Sequence, residues 1–277
     1  MSGIGAACLA VDWGTSNLRV WALDSTGKVL AEAGSDRGMN RLPNPAAFEE
    51  ALLDLVQSWL CPDTILPVAI CGMAGARNGW REAPYRAVPC MPVEPDALTP
   101  VTLADPRLKV AIVPGLCNAD PPDVMRGEET PLAGWIALHP DFQGTICLPG
   151  THSKWVALGD GMVQRFKTVM TGEIFDLLAK QSILRLTATT GGWDAQAFAK
   201  GVRDGFARPG QVVTDLFHLR AGPLLQNWPA EQVRARLSGL LIGAELAGVR
   251  EYWSGEAVHI IGDANLARLY QDALILL

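Results

Sequence analysis

The chain has 277 residues, of which 49% are hydrophobic and only 19% charged, and its formal net charge is −6. That composition excludes a disordered chain and leaves length for one large or two modest domains with a real core. The acidic balance excludes a broad nucleic-acid footprint, yet it allows a nucleotide site, which needs only local amides, a metal ion and one or two basic groups.

Residues 1–8 carry no basic start and no apolar core, so no export signal is expected. Residues 8–11 predict a short strand. Asp12-Trp13-Gly14-Thr15-Ser16-Asn17 follows as a small polar loop, and residues 18–23 return to strand-forming types. Ser25-Thr26-Gly27 turns the chain into residues 28–31. This is a hairpin meander, unlike the strand-to-helix opening of a dinucleotide-binding domain. Asn44-Pro45 reads as an N-cap with proline at the first helical position, opening a helix over 46–60. Phe48, Leu52, Leu55, Val56 and Trp59 recur there at helical spacing. Residues 67–71 predict an apolar strand ending at Gly72.

The middle is rich in proline and glycine. Residues 83–89 read as an extended cover segment, and 109–113 as a strand. Residues 127–138 predict a helix with Pro131 in its first turns. The opening pattern then returns. Residues 145–148 predict a strand, Pro149-Gly150-Thr151-His152-Ser153-Lys154 a polar loop, and 155–158 a strand that turns at Gly159-Asp160-Gly161 into 162–168. A strand, a Gly-Thr loop and a hairpin thus occur twice, which suits a duplicated α/β domain better than a solenoid. Helices are expected over 173–185, 231–252 and 266–276, and a strand over 257–261. Residues 186–228 show no readable pattern.

No apolar stretch reaches the length of a membrane span. The six cysteines show no CxxC pair and, in a chain of this size without an export signal, read as reduced thiols. Four scattered histidines argue against a structural zinc site. A cytoplasmic location is expected.

Two loops could carry chemistry. Gly14 permits a tight turn and close approach of backbone to an anion, with the N–H and hydroxyl groups of Thr15 and Ser16 as donors. Asp12, at a strand end, could hold Mg²⁺. The plain alternative is a hairpin turn with an Asx bond. Gly150-Thr151, with His152 and Lys154, offers a second phosphate loop, though not the GxxxxGK[ST] type, and here too a simple turn is the alternative. Asp120, Asp123, Arg126, Glu128 and Glu129 cluster beside a predicted helix start. They read either as capping acids or as a site containing the carboxylate that a kinase needs near the attacking hydroxyl. Asp123 is the candidate base. Arg37 could fork onto a substrate carboxylate, or form a surface ion pair. Trp80 and Tyr85 could wall a sugar, or pack in the core. Thr171-Gly172-Glu173 precedes a helix whose start could face phosphate or close a capping box.

These stretches also resemble a known family. Asp12-Trp13-Gly14-Thr15-Ser16-Asn17-Leu18-Arg19, Ser35-Asp36-Arg37-Gly38-Met39, Cys71-Gly72-Met73 with Gly79-Trp80, and Ala83-Pro84-Tyr85 carry the likeness in the first half. Asp123-Val124-Met125-Arg126-Gly127-Glu128-Glu129-Thr130, Pro149-Gly150-Thr151-His152-Ser153-Lys154-Trp155, Met170-Thr171-Gly172-Glu173 and Ser238-Gly239-Leu240-Leu241-Ile242-Gly243-Ala244-Glu245 carry it onward. In order and across nearly the whole chain, they resemble the 2-dehydro-3-deoxygalactonokinases, within the actin, Hsp70 and sugar-kinase superfamily.

The resemblance implies an α/β fold of two duplicated lobes, each a mixed sheet flanked by helices, in the actin-like or ribonuclease H-like manner, with ATP and Mg²⁺ in the cleft between them. Residues 1–143 would form the first lobe and 144–263 the second, with a last helix at about 264–277 packing back on the first. Phosphoryl transfer from ATP to the C6 hydroxyl of 2-dehydro-3-deoxy-D-galactonate is implied. Asp12, Gly14, Thr15 and Ser16 match the first phosphate motif, and Asp12 is the metal candidate. Gly150, Thr151, His152 and Lys154 match the second, with Gly172, Gly243 and Gly262 completing the nucleotide set. The match is incomplete after Gly262, since Asp263 stands where the adenosine motif has its second glycine. Arg37, Gly38, Met39, Trp80, Tyr85, Asp123, Arg126 and Glu128 are the substrate candidates, and Asp12, Asp123, Arg126 and Lys154 the catalytic ones. The expected partner is a small sugar acid, with no nucleic acid or membrane, in a monomer or homodimer. Alternatives are a related kinase for a 2-dehydro-3-deoxygluconate-like acid, a non-catalytic ATP-binding sugar sensor, and a phosphatase on the same fold.

Overall fold

The computed structural model describes residues 4–189 and 191–277. The chain divides into two compact units, residues 1–141 with 161–163, and residues 142–160 with 164–277.

The first unit holds β1 (Cys8–Trp13), β2 (Leu18–Leu23), β3 (Val29–Ser35), α1 (Ala46–Val56), β4 (Leu66–Gly72), β5 (Arg86–Ala87), β6 (Thr99–Val101), β7 (Leu108–Ile112), β8 (Leu116–Asn118), β9 (Asp123–Met125) and α2 (Glu129–Leu138). Its main sheet runs β3-β2-β1-β4-β7-β6, with β1 antiparallel to β2 and parallel to β4. Alternation along β1 turns Leu9, Val11 and Trp13 into the core, where Leu52 and Phe48 of α1 cover them. The same alternation puts Asp12 on the opposite face. A small sheet, β5-β8-β9, stands apart from the main one. The predicted N-cap is present, since Asn44 Oδ1 accepts the Ala47 N–H at 3.2 Å.

The second unit holds β10 (Gly144–Leu148), β11 (Ser153–Gly159), β12 (Met162–Val169), α3 (Thr171–Lys180), α4 (Ala195–Ala207), α5 (Val212–Leu216), α6 (His218–Gln226), α7 (Ala230–Gly248), α8 (Arg250–Trp253), β13 (Val258–Ile260) and α9 (Ala264–Ile275). Its sheet runs β12-β11-β10-β13, with β10 antiparallel to β11 and parallel to β13. This repeats the β3-β2-β1-β4 pattern of the first unit. The fold is α/β, with mixed sheets flanked by helices.

Several expectations change. Asp123 to Met125 form a strand, and the helix expected from 127 begins at Glu129. The helix expected over 231–252 breaks at Val249, whose φ of −118° and ψ of 21° separate α7 from α8. The unreadable 186–228 stretch contains α4, α5 and α6. Tyr270 and Ala273 of the last helix, α9, are buried in the second unit's core with Trp155. Asp263 caps that helix, its side chain accepting the Asn265 and Leu266 N–H groups.

Gly243, expected at the nucleotide, has a packing role instead. A Cβ there would stand 2.2 Å from the Val202 carbonyl oxygen of α4, and one at Gly239 equally close to that of Phe198. The two helices meet backbone to backbone. Gly243→Ala should therefore cost about 1–3 kcal/mol through overpacking, seen as a lowered thermal midpoint. Gly134→Ala, in α2 with open space around it, should leave the midpoint unchanged or raise it.

Candidate active site

In the first unit the Asp12 loop is a tight turn closed by the Gly14 N–H donating to Asn17 O at 2.9 Å. Thr15 and Ser16 at its tip are exposed. The following segment braces the loop from behind. Met39 N–H donates to Gly14 O and Asn40 N–H to Thr15 O, both at 3.0 Å, and Trp13 Nε1–H donates to Arg37 O at 3.1 Å. Gly38 lies so close that a Cβ would stand 2.3 Å from the Ser16 carbonyl carbon. Gly38 and Met39, expected at the substrate, thus support the loop through their backbones.

Asp12 lines a cavity of about 540 Å³ on the outer face of the sheet, with Ala10, Trp21, Ala69 and Cys71. The chain entering α2 supplies the rest of the wall through Gly127, Glu128 and Thr130. Burial raises the Asp12 carboxyl above its ordinary range, and the charge of Arg19 works against that shift. A divalent cation would offset the same cost. Mg²⁺ commonly takes one or two carboxylates together with phosphates and water, so a single Asp at a phosphate loop fits it. Among the described residues no group of three or more His, Cys, Asp or Glu forms a metal cage.

Sequence reasoning placed Glu129 in the charged cluster at the helix start, as a capping acid or a member of a site, without singling it out. Its side chain is fully buried, with Oε2 accepting the Gly127 N–H at 2.7 Å and Oε1 lacking any hydrogen-bond partner. Burial pushes its carboxyl up to about 8. The Cys71 thiol, hydrogen-bonded to Thr130, is pushed up to about 12 by burial, with the Asp12 and Glu129 charges adding to the effect. The adjacent Glu128-Glu129 pair was the only signal in the sequence, and it does not say which of the two turns inward.

The small sheet joins two other candidates. The Arg126 guanidinium lies over the Tyr85 ring, 4.4 Å from its centroid, and Nη2 donates to Ala83 O at 2.7 Å. Arg126 Nε and Nη1 are buried without a hydrogen-bond partner. Glu128 Oε2 accepts the Arg126 N–H at 3.0 Å. Asp123 begins β9, opposite Asn118, and its Oδ1 accepts the Val124 N–H at 2.7 Å. Two candidates lie elsewhere. Trp80 packs on Trp13 and stacks on Phe48 with centroids 5.8 Å apart, so its ring belongs to the core edge. Arg37 takes its surface alternative, pairing with Asp54 at 2.5 Å and Glu50 at 3.9 Å.

In the second unit the Gly150-Thr151 loop rests against the start of α3. A Cβ on Gly172 would stand 2.2 Å from Gly150 O, and the Glu173 N–H donates to Thr151 O at 2.9 Å. Gly262 lies beside Pro149 of the same loop. His152 pairs with Glu173 at 2.6 Å. Lys154, expected to meet transferred phosphate, is only 4% exposed, and its Nζ donates to His152 O at 3.1 Å, back into the loop. A cavity of about 160 Å³ opens beside Gly150, Thr171 and Gly172. Arg234, Ser238, Phe175 and Trp193 also line it, and Arg234 stacks over the Phe175 ring at 4.9 Å. A cavity of about 150 Å³ holds a benzene ring, so this one suits a single ring system. The sequence reading named Ser238 only within a stretch of family resemblance, and did not name the other three. Arg234, Ser238 and Ile242 recur every four residues on α7, which is also what a core stripe looks like.

A model of the family described as 2-keto-3-deoxy-galactonokinase matches residues 12–277. A Rhizobium meliloti protein named "Probable 2-dehydro-3-deoxygalactonokinase" is 41% identical over 271 residues, covering 96% of this chain and 88% of its own. The 2-dehydro-3-deoxygalactonokinase of Escherichia coli is 38% identical over 274 residues, covering 97% and 89%. A Sinorhizobium meliloti crystal structure named for the same activity has a TM-score of 0.86 at 39% identity, covering 97% of this chain and 90% of that one.

Glu129 yields a prediction with a definite sign. Its folded value of about 8 lies above the ordinary 4.5, so its contribution to stability is fully present below 4.5 and is lost as pH rises to 8. Glu129→Gln, neutral at every pH, should match the parent protein in thermal midpoint near pH 4.5 and exceed it increasingly up to pH 8. A difference that does not change with pH would refute the burial argument.

Proposed function

This chain belongs to the 2-keto-3-deoxy-galactonokinase family, and from that premise we propose that it transfers the γ-phosphoryl group of ATP to the C6 hydroxyl of 2-dehydro-3-deoxy-D-galactonate, a step of galactonate catabolism. The enzyme is a sugar-acid kinase. Arg126 is the observation that carries the choice of an acid. Its cation lies over the Tyr85 ring with two nitrogens lacking any acceptor, three residues after the carboxylate of Asp123. A substrate carboxylate supplies the missing counter-charge.

The roles follow from the chemistry of phosphoryl transfer, which needs positioning and charge neutralisation more than covalent catalysis. Asp123 orients the attacking hydroxyl and accepts its proton. The exposed tip at Thr15 and Ser16 and the Gly150-Thr151 loop offer N–H and hydroxyl donors to phosphate oxygens. The cavity beside Gly172, with the stacked Arg234 and Phe175, receives the nucleotide's ring. Asp12 would hold Mg²⁺ against the phosphates, where the ion neutralises their charge. No helix among the described residues is long and apolar enough to cross a membrane.

The reading is tested by coupled ADP release against a panel of aldonic and 2-dehydro-3-deoxy-aldonic acids. Turnover is expected on 2-dehydro-3-deoxy-D-galactonate, with slower turnover on the gluconate-type epimer. No turnover on any 3-deoxy acid would overturn the reading. Asp123→Asn should lower kcat by about 10²–10⁴, and an unchanged kcat would remove Asp123 as the base. Arg126→Ala should raise KM for the sugar acid and leave KM for ATP nearly unchanged.

A further inference from the structure

We propose that Glu245 is a positioning residue for the nucleotide, holding the Gly150-Thr151 loop and the start of α3 in the arrangement that receives phosphate. The inference rests on reading that loop as the nucleotide site.

Glu245 lies near the end of α7 and is only 4% exposed. Its Oε1 accepts the Trp155 Nε1–H at 2.7 Å, and its Oε2 accepts the Tyr270 hydroxyl at 2.6 Å. The Thr171 and Ser153 hydroxyls also hydrogen-bond its carboxylate. Ser153 Oγ stands 2.8 Å from the Tyr270 hydroxyl oxygen, closing the network. Donors from β11, α3 and α9 thus converge on one carboxylate from α7.

The positions of these donors matter more than their number. Ser153 is the first residue of β11, where the loop ends, and Thr171 is the first residue of α3. Its neighbour Gly172 abuts Gly150, and the Glu173 N–H donates to Thr151 O at 2.9 Å. Any drift of Thr171 or Ser153 therefore carries the loop with it. A buried charge is a poor way to gain stability, because a well-packed apolar side chain often does as well or better. A carboxylate differs from an apolar residue in fixing the direction of every donor around it. A glutamine would turn an NH₂ group toward at least one of those donors.

Equilibrium binding of ADP to the full chain, together with KM values for both substrates, tests this. Glu245→Gln and the milder Tyr270→Phe, which keeps the ring and removes one hydroxyl, are compared with Gly172→Ala, which strikes the loop directly. Loss of one buried hydrogen-bond partner should weaken ADP binding by about tenfold in Glu245→Gln and by less in Tyr270→Phe. KM for the sugar acid should stay within about twofold, because no member of the network is among the substrate candidates. If both network variants bind ADP as the parent does while Gly172→Ala has lost binding, Glu245 is only structural and the inference fails alone. If Gly172→Ala also binds ADP normally, the loop reading falls and the inference with it. Should Glu245→Gln not fold, Tyr270→Phe decides the matter by the same comparison.

Discussion

In each unit a glycine stands where one stretch of backbone presses directly on another, and both candidate phosphate loops depend on that contact. Gly38 sits against Ser16 in the first unit, and Gly172 against Gly150 in the second. A side chain at either position would push the loop outward, since a Cβ would come within 2.3 Å of the facing backbone in both places. Backbone bracing leaves the loop tips exposed and fixes where their donors point. That suits a site whose task is to hold an anion rather than to change shape around one.

The second constraint is electrostatic. Glu129 and Glu245 are both buried carboxylates, yet their surroundings differ. Glu245 has donors from several elements around it. Glu129 has one oxygen bonded to the Gly127 N–H and the other without a partner. Burial therefore raises both groups, but only Glu245 has a network to hold its direction. Arg126 presents the converse case, a half-buried cation supported by an aromatic face and a carbonyl, with two nitrogens left over. Glu129 and Arg126 both lie within six residues of Asp123, the candidate base.

Much of this was legible from the residues. The paired strand-loop-hairpin segments at Asp12 and Gly150 pointed to the duplicated topology, because alternation and turn residues act locally. The loop positions followed from the same local signals. Tertiary context decided what was missed. Nothing in the sequence marks Gly243 as a helix contact rather than a nucleotide glycine, because its partner Val202 lies in the stretch without periodicity. Trp80 and Arg37 each had two readings, and only packing against Phe48 or pairing with Asp54 chooses between them. Lys154 looked like a phosphate ligand beside Gly150-Thr151, whereas strand β11 directs it inward. The ring cavity was invisible for the same reason, since Phe175, Trp193 and Arg234 come from three separate segments.

A crystal structure of the protein with bound ADP tests the central claim most directly. The account predicts the diphosphate against the Gly150-Thr151 loop and Gly172, with the base in the cavity beside Arg234 and Phe175. A nucleotide bound at another place, with that loop and cavity bare, would contradict it.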